Sequence, residues 1–241
     1  MEELLHESRR TRVVRLSRPS GTFILKILNR ALPPQEELAR FRQECAITTS
    51  LAEIPGVIRC QGLIRHLESL ALELEDIGGV SLDRLIAAAP LPLKDFLDIA
   101  PRLADIVARI HAAGVVHRDI NPSNVVWNSV SGALQLIDFG IADRLPEELA
   151  EALPPTLLEG SLAFLAPEQT GRMNRPVDAR SDLYALGATF YALLSGRPPF
   201  TSQDPMTLIA DHLAKNPEPL HRLNPKIPEI LSRIILKLLA K

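Results

Sequence analysis

Cysteine is scarce: Cys45 and Cys60 are the only two in 241 residues. That is too few for the disulfide framework of a small secreted domain, and their separation is not that of metal-ligand pairs. Both read as small buried apolar residues in a chain suited to a reducing compartment. An excess of charge is also lacking, since 27 Lys+Arg against 29 Asp+Glu leaves a net −2. No global field draws the chain to nucleic acid or an anionic membrane, so any polyanion it binds must be met locally. No stretch approaches the ~20 uninterrupted apolar residues of a membrane span. The opening MEELLHESRR is acidic, without the apolar core of a signal peptide, and a cytoplasmic protein is expected. Repeats of solenoid period and low-complexity tracts are missing as well. What the chain does have is 46% hydrophobic residues, enough for a substantial core in one large domain or two small lobes.

The character of the sequence changes along its length, strand-like early and helical later. Residues 12–16 and 22–28 are rich in β-branched and apolar side chains, and Arg18, Pro19, Ser20 and Gly21 between them predict a hairpin turn. After Pro33 and Pro34, the spacing of Leu38, Phe41 and Cys45 predicts a helix over 36–51. Strand-like runs at 56–63 and 69–75 follow, and Gly78–Gly79 marks a hinge. Beyond it, Leu103, Ile106, Val107 and Ile110 form the apolar stripe of a helix, with Pro101 near its start or kinking it. Two short strands are expected at 124–127 and 133–138, around a turn at Gly132. A helix over 182–195 is predicted with Ser181 as N-cap and Gly196 past its end. The last helical stripe, Ile227 to Leu238, stops at Lys241 without a capping signal, which predicts a fragment of something longer.

The chemistry concentrates in VVHRDINPSNVVW, which places His117, Arg118, Asp119 and Asn124 in one turn-rich loop between a helix and a strand, followed by LIDFG. Asp138, Phe139 and Gly140 mean little alone. Together, Asp119, Asn124 and Asp138 are oxygen donors on loops beside strands, the hard-ligand chemistry that a Mg²⁺ and a reacting hydroxyl require. The ordered set HRDINPSN, DFG and the APE of Ala166, Pro167 and Glu168 resembles the eukaryotic-type serine/threonine protein kinases found in bacteria.

This resemblance implies an α+β, two-lobed fold: a small β-rich N-lobe with one helix over 1–77 and a larger, mainly helical C-lobe over 78–241. It implies ATP and Mg²⁺ in the cleft and a protein substrate bearing Ser or Thr. By the same likeness, Asp119 orients the substrate hydroxyl and accepts its proton, while Asn124 and Asp138 bind metal. Lys26 in FILK contacts the α and β phosphates and pairs with Glu44 on the following helix. Val13 and Ile24 lie against adenine, and Glu75, Asp76 and Ile77 offer hinge backbone to its edge. Asp182 in SDLYALG holds the catalytic loop by hydrogen bonds to its backbone, although as a first-turn acid it could merely complement the helix dipole. Glu168 resembles a residue whose arginine partner lies beyond Lys241. Arg118 resembles an arginine that pairs with a phosphorylated residue of the activation segment, 140–166. Thr156 is the candidate for that residue, with an unmodified loop threonine as the equal alternative, and Ser161 looks like a contact of the catalytic aspartate.

Two departures stand against the pattern. The nucleotide-covering loop has none of the family's three glycines; His6, Ser8 and Thr11 occupy their positions, which should weaken or reshape the phosphate cradle. Arg9, Arg10 and Arg12 fall at the loop tip and read as a solvated basic turn. Asn121 stands where the family carries a lysine that reaches the transferred phosphate, a loss on the order of 2 to 4 kcal/mol of transition-state stabilisation unless another cation substitutes. The polar insert Gly171–Pro176 resembles kinase-like domains that begin large bacterial hybrid signalling proteins, so further signalling domains are expected after Lys241. The leading expectation is a protein serine/threonine kinase. The alternatives are a pseudokinase that senses nucleotide or docks a partner, and, less favoured, a small-molecule phosphotransferase, against which the APE segment argues.

Overall fold

In the computed structural model, residues 2–19, 21–30, 33–144 and 162–241 are described. Five antiparallel strands make one sheet: β1 (Glu2–Glu7), β2 (Thr11–Arg18), β3 (Gly21–Leu28), β4 (Cys60–His66) and β5 (Ser69–Glu75), in the order β1-β2-β3-β5-β4. Strand period alone sorts β3. Phe23, Leu25 and Ile27 pack with Val14 and Ala71 in one small core, while Ile24 and Leu28 join the main core on the other face. Lys26 falls between Ile24 and Leu28 on that second face. The ladder sets Val13 and Leu72 opposite Lys26, and Leu74 opposite Ile24. Helix α1 (Gln35–Ser50) covers this face and turns Phe41, Glu44, Ile47 and Thr48 inward at helical spacing.

The second lobe is mainly helical. After β6 (Val80–Ser81) and the short α2 (Leu82–Ile86), α3 (Leu93–Ala112) buries Phe96, Ile99, Leu103, Ile106, Val107 and Ile110. Short strands β7 (Val115–Val116), β8 (Val125–Trp127), β9 (Leu134–Leu136) and β10 (Asp143–Arg144) carry the loops of the cleft. Helices α4 (Ala179–Ser195), α5 (Pro205–Ala214), α6 (Leu220–Leu223) and α7 (Glu229–Leu238) complete it. Helix α4 is buried nearly all round, from Tyr184 to Leu194, and is the axis on which the lobe is built. Among the described residues, no helix is long and apolar enough to cross a membrane. The α+β, two-lobed expectation therefore holds: a β-sheet lobe and a helical lobe.

The turn at the hinge needs its glycines. Gly78 has φ +64°, and a Cβ at Gly79 would lie 2.7 Å from Val126 Cγ1 and 2.9 Å from the Trp127 backbone.

Several sequence expectations need correction. EELLHE, expected to lead into the covering loop, is an exposed edge strand whose order comes from pairing with β2, not from its own apolar pattern. The strand expected over 56–63 begins at Cys60, because Gly56 to Ile58 dock instead on β9. The Leu136 amide donates to the Gly56 carbonyl at 2.7 Å, and the Ile58 amide to the Leu136 carbonyl at 3.1 Å. Pro101 does not lie near the start of α3. It sits within the helix on the exposed side, where water can take the carbonyl it leaves without a donor. The N-cap of α4 is Asp178, whose carboxylate accepts the Arg180 amide at 2.8 Å; Ser181 lies inside the helix and is fully buried. Neither cysteine is a core residue, since both are partly exposed.

Candidate active site

Lys26 and Glu44 face each other across the contact between β3 and α1, with Nζ 2.7 Å from Glu44 Oε1. The same ammonium donates to Asp138 Oδ1 at 2.9 Å. Gly140 closes in on this triad: its amide donates to Asp138 Oδ1 at 3.1 Å, and a Cβ there would stand 3.3 Å from Glu44 Oε2. Burial pulls the Lys26 pKa down, but the charges of Asp138 and Glu44 outweigh it and hold the ammonium firmly protonated. Burial raises the Asp138 carboxyl in the same way, yet Lys26 and the Gly140 amide win and hold it below the usual range. Glu44 is pushed up to about 7, first by burial and then by Asp138, against the pull of Lys26.

That last shift has a sign. The folded value lies above the ordinary 4.5, so the folded chain keeps a proton that the unfolded chain has lost. The associated stability is full below about pH 4.5 and disappears as pH rises through about 7. Relative to Glu44→Gln, the wild type should lose about 3 kcal/mol of stability between those limits. Thermal melting of both proteins across the range checks it, and a pH-independent difference would show that Glu44 is ionised throughout.

The loop after β7 is held from beneath. Asp182, fully buried on α4, accepts the His117 amide at 2.8 Å, the Arg118 amide at 2.7 Å and His111 Nε2 at 2.8 Å. Arg118 has φ +67° and Asp138 has φ +62°, left-handed conformations that cost free energy for residues with a Cβ. The Arg118 carbonyl accepts Gln169 Nε2 at 2.8 Å, and its guanidinium lies 3.2 Å from Asp143. His117 accepts the Asp119 amide at Nδ1 (3.2 Å) and so donates from Nε2 to the Ile137 carbonyl (3.1 Å), its ring 4.7 Å from that of Phe139.

Two amides grip the Asp119 carboxylate: Asn121 Nδ2 donates to Oδ1 at 2.9 Å and Asn124 Nδ2 to Oδ2 at 2.9 Å. Asn121 also accepts the Ser123 amide at 2.9 Å, closing the turn that follows. With its Nδ2 committed to Asp119, Asn124 presents a carbonyl oxygen as its remaining donor, and Asp138 presents a carboxylate. An all-oxygen pair of this kind suits Mg²⁺, which takes one or two protein oxygens and completes its shell with phosphate and water. Among the described residues no three His, Cys, Asp or Glu side chains cluster as an all-protein metal site.

The covering turn explains its missing glycines. Neither His6, Ser8 nor Thr11 is among the described non-glycine residues with positive φ, so no left-handed backbone requires glycine there. Ser8 Oγ accepts the amides of Arg10 (3.2 Å) and Thr11 (3.0 Å), so a side chain satisfies both donors within the turn. Asn29 ties the turn to the end of β3, donating from Nδ2 to the Ser8 carbonyl at 2.7 Å. Arg9 and Arg10 are exposed.

At the hinge, Glu75 accepts Gln135 Nε2 at 2.8 Å, and the Ile77 carbonyl accepts Asn128 Nδ2 at 2.7 Å. The Arg15 guanidinium binds Asp76 at 2.7 Å and 3.3 Å, and with the Gly78 amide it overcomes burial to hold the Asp76 carboxyl below its usual range. Nothing in the sequence marked Arg15, Gln135, Asn128, His111 or Gln169, because each acts on a residue far away in the chain. Glu168 accepts the Ser181 hydroxyl at 2.5 Å. Thr156 and Ser161 lie outside the described residues.

The lysine of the sheet lobe is held by Glu44 and by Asp138 of the helical lobe, where the aspartate Asp119 is gripped by two asparagines. The family described as protein kinase domain matches residues 11–241, and the chain belongs to that family. It is 32% identical over 223 residues to serine/threonine-protein kinase pkn2 of Myxococcus xanthus, covering 90% of this chain and 26% of that protein. Identity of 32% also extends over 221 residues to the DNA damage-responsive serine/threonine-protein kinase RqkA of Deinococcus radiodurans, 90% of this chain and 32% of the relative. Serine/threonine-protein kinase PrkC of Bacillus subtilis is 32% identical over 207 residues, 86% of this chain and 31% of the relative. The chain thus spans between a quarter and a third of the length of these relatives.

Proposed function

We propose that the domain transfers the γ-phosphoryl group of ATP to a serine or threonine hydroxyl of a protein. The observation that carries this reading is the Lys26 ammonium bound at once to Glu44 and Asp138, which brings β3, α1 and the DFG turn together at one charge. The names of the relatives support it. In this reading Lys26 contacts the nucleotide phosphates, and Val13, Ile24 and the backbone of Glu75 and Ile77 receive the adenine. Asn124 and Asp138 hold Mg²⁺, which neutralises charge on the phosphates when bound. Asp119 orients the acceptor hydroxyl and takes its proton, with Asn121 and Asn124 fixing the carboxylate in place. Arg118 and Asp182 keep that loop in position. We place the lobe boundary at 77/78 and the domain in the cytoplasm, as one module of a larger signalling protein; the greater length of the relatives supports the last point.

The test is transfer of labelled γ-phosphate to a basic protein acceptor, with Mg²⁺ and with a chelator, followed by acid hydrolysis. Label on phosphoserine or phosphothreonine that vanishes with the chelator is expected. Nucleotide binding by thermal shift without any transfer would overturn the reading in favour of a docking module, for which the Ser8-filled turn and Asn121 would then be the reason. Label on a metabolite and none on protein would point to a small-molecule phosphotransferase.

A further inference from the structure

Cys45 and Cys60 meet where α1 packs on β4, with their Sγ atoms 3.5 Å apart and both side chains partly exposed. Cys45 directly follows Glu44 on the helix. Cys60 opens β4 at a bulge, where the ladder to β5 slips between Cys60 and Gly62. Two thiols this close, reachable from solvent, have three possible uses: packing, metal binding or a covalent bond. Packing alone would favour full burial, which neither residue has. A metal needs further ligands, and among the described residues none gather with the pair. A disulfide of about 2.05 Å asks the two sulfurs to close by about 1.5 Å from their present contact.

We propose that Cys45 and Cys60 form a thiol modification site, converted by a two-electron oxidant of the peroxide class into an intramolecular disulfide that fastens α1 to β4. Burial and the neighbouring Cys45 push the Cys60 thiol up to about 12. Either sulfur can attack the peroxide first, Cys45 or, with the roles exchanged, Cys60. With Cys45 first, the O–O bond breaks, a sulfenic acid forms on Cys45, and the first water leaves. The Cys60 sulfur then attacks the Cys45 sulfur, the S–O bond breaks, and the departing hydroxide takes the Cys60 proton as a second water. Two thiols and one peroxide become one disulfide and two waters, with two electrons passed from sulfur to oxygen. The bond would hold α1 at a fixed distance from the sheet, one residue from the carboxylate that binds Lys26. Reversible disulfides of this kind are the sort found in reducing compartments. The inference does not depend on phosphoryl transfer, because its readout is the sulfur chemistry itself.

The experiment treats the reduced folded protein with stoichiometric hydrogen peroxide, blocks remaining thiols, and maps peptides without reduction. A Cys45–Cys60 linked peptide with the mass loss of two hydrogens is expected, reversed by dithiothreitol. Closing a loop across 15 residues should raise the melting temperature by roughly 5–10 °C in the oxidised wild type. In Cys60→Ser and in Cys45→Ser the linked peptide should be missing, and the remaining thiol should stop at a sulfenic acid that dimedone traps. Both thiols still alkylatable after peroxide, links only between separate chains, or over-oxidation of either cysteine in the wild type without a link would each overturn the proposal.

Discussion

Replacing Asp119 with asparagine should lower kcat for phosphoryl transfer about 10²- to 10⁴-fold, the usual contribution of a positioned general base. Nucleotide affinity should barely move, because in the proposed reading Asp119 addresses the acceptor hydroxyl and not the nucleotide. The fold should also survive. Only one carboxylate oxygen changes, and the amide that replaces it can still accept from either Asn121 or Asn124. The other asparagine is then left facing an NH₂ group, at a cost of about 1 kcal/mol. Single-turnover transfer and nucleotide titration on the same preparation separate the two effects. Transfer at the wild-type rate would remove Asp119 from the role of base, and a parallel loss of nucleotide affinity would mean that the substitution disturbs the whole cleft.

Asp182→Ala is expected to cost about 3–5 kcal/mol of stability, lowering the melting temperature by roughly 10 °C or more. The carboxylate is wholly enclosed and satisfies the amides of His117 and Arg118 together with the His111 ring. Without it, those donors are stranded away from water, each at about 1–3 kcal/mol. The left-handed Arg118 also loses the bond that holds it at φ +67°. Asp182→Asn keeps one acceptor but turns an NH₂ toward donors, so it should fall between the two. Calorimetry gives the stability, and hydrogen exchange at the His117 and Arg118 amides reports the loop itself. Unchanged protection of those amides in Asp182→Ala would show that the loop is held by its packing.

Much of the fold was legible because its causes are local. The β-branched and apolar run TFILKIL makes a strand whichever partners it finds, and the stripe Leu103, Ile106, Val107 and Ile110 makes a helix with one buried face. Where local and tertiary preferences competed, the sequence misled. Gly56 to Ile58 look like the start of a strand but are drawn onto β9, and EELLHE becomes a strand only because β2 pairs with it.

The sequence by itself determined which residue types sit in which order: a lysine on a strand, a glutamate on the next helix, and HRD and DFG segments on turns. Tertiary structure alone decided what each of them touches. Lys26 meets Glu44 across 18 residues of chain and Asp138 across 112, and Asp182 reaches His117 across 65. Ser8 fills its own turn, Glu168 binds Ser181, and Cys45 meets Cys60. The physical reason is that periodicity and turn chemistry act over a few residues. Hydrogen-bond partners, burial and the pKa shifts that follow from them depend on which surfaces pack together, and no local window of sequence contains that information.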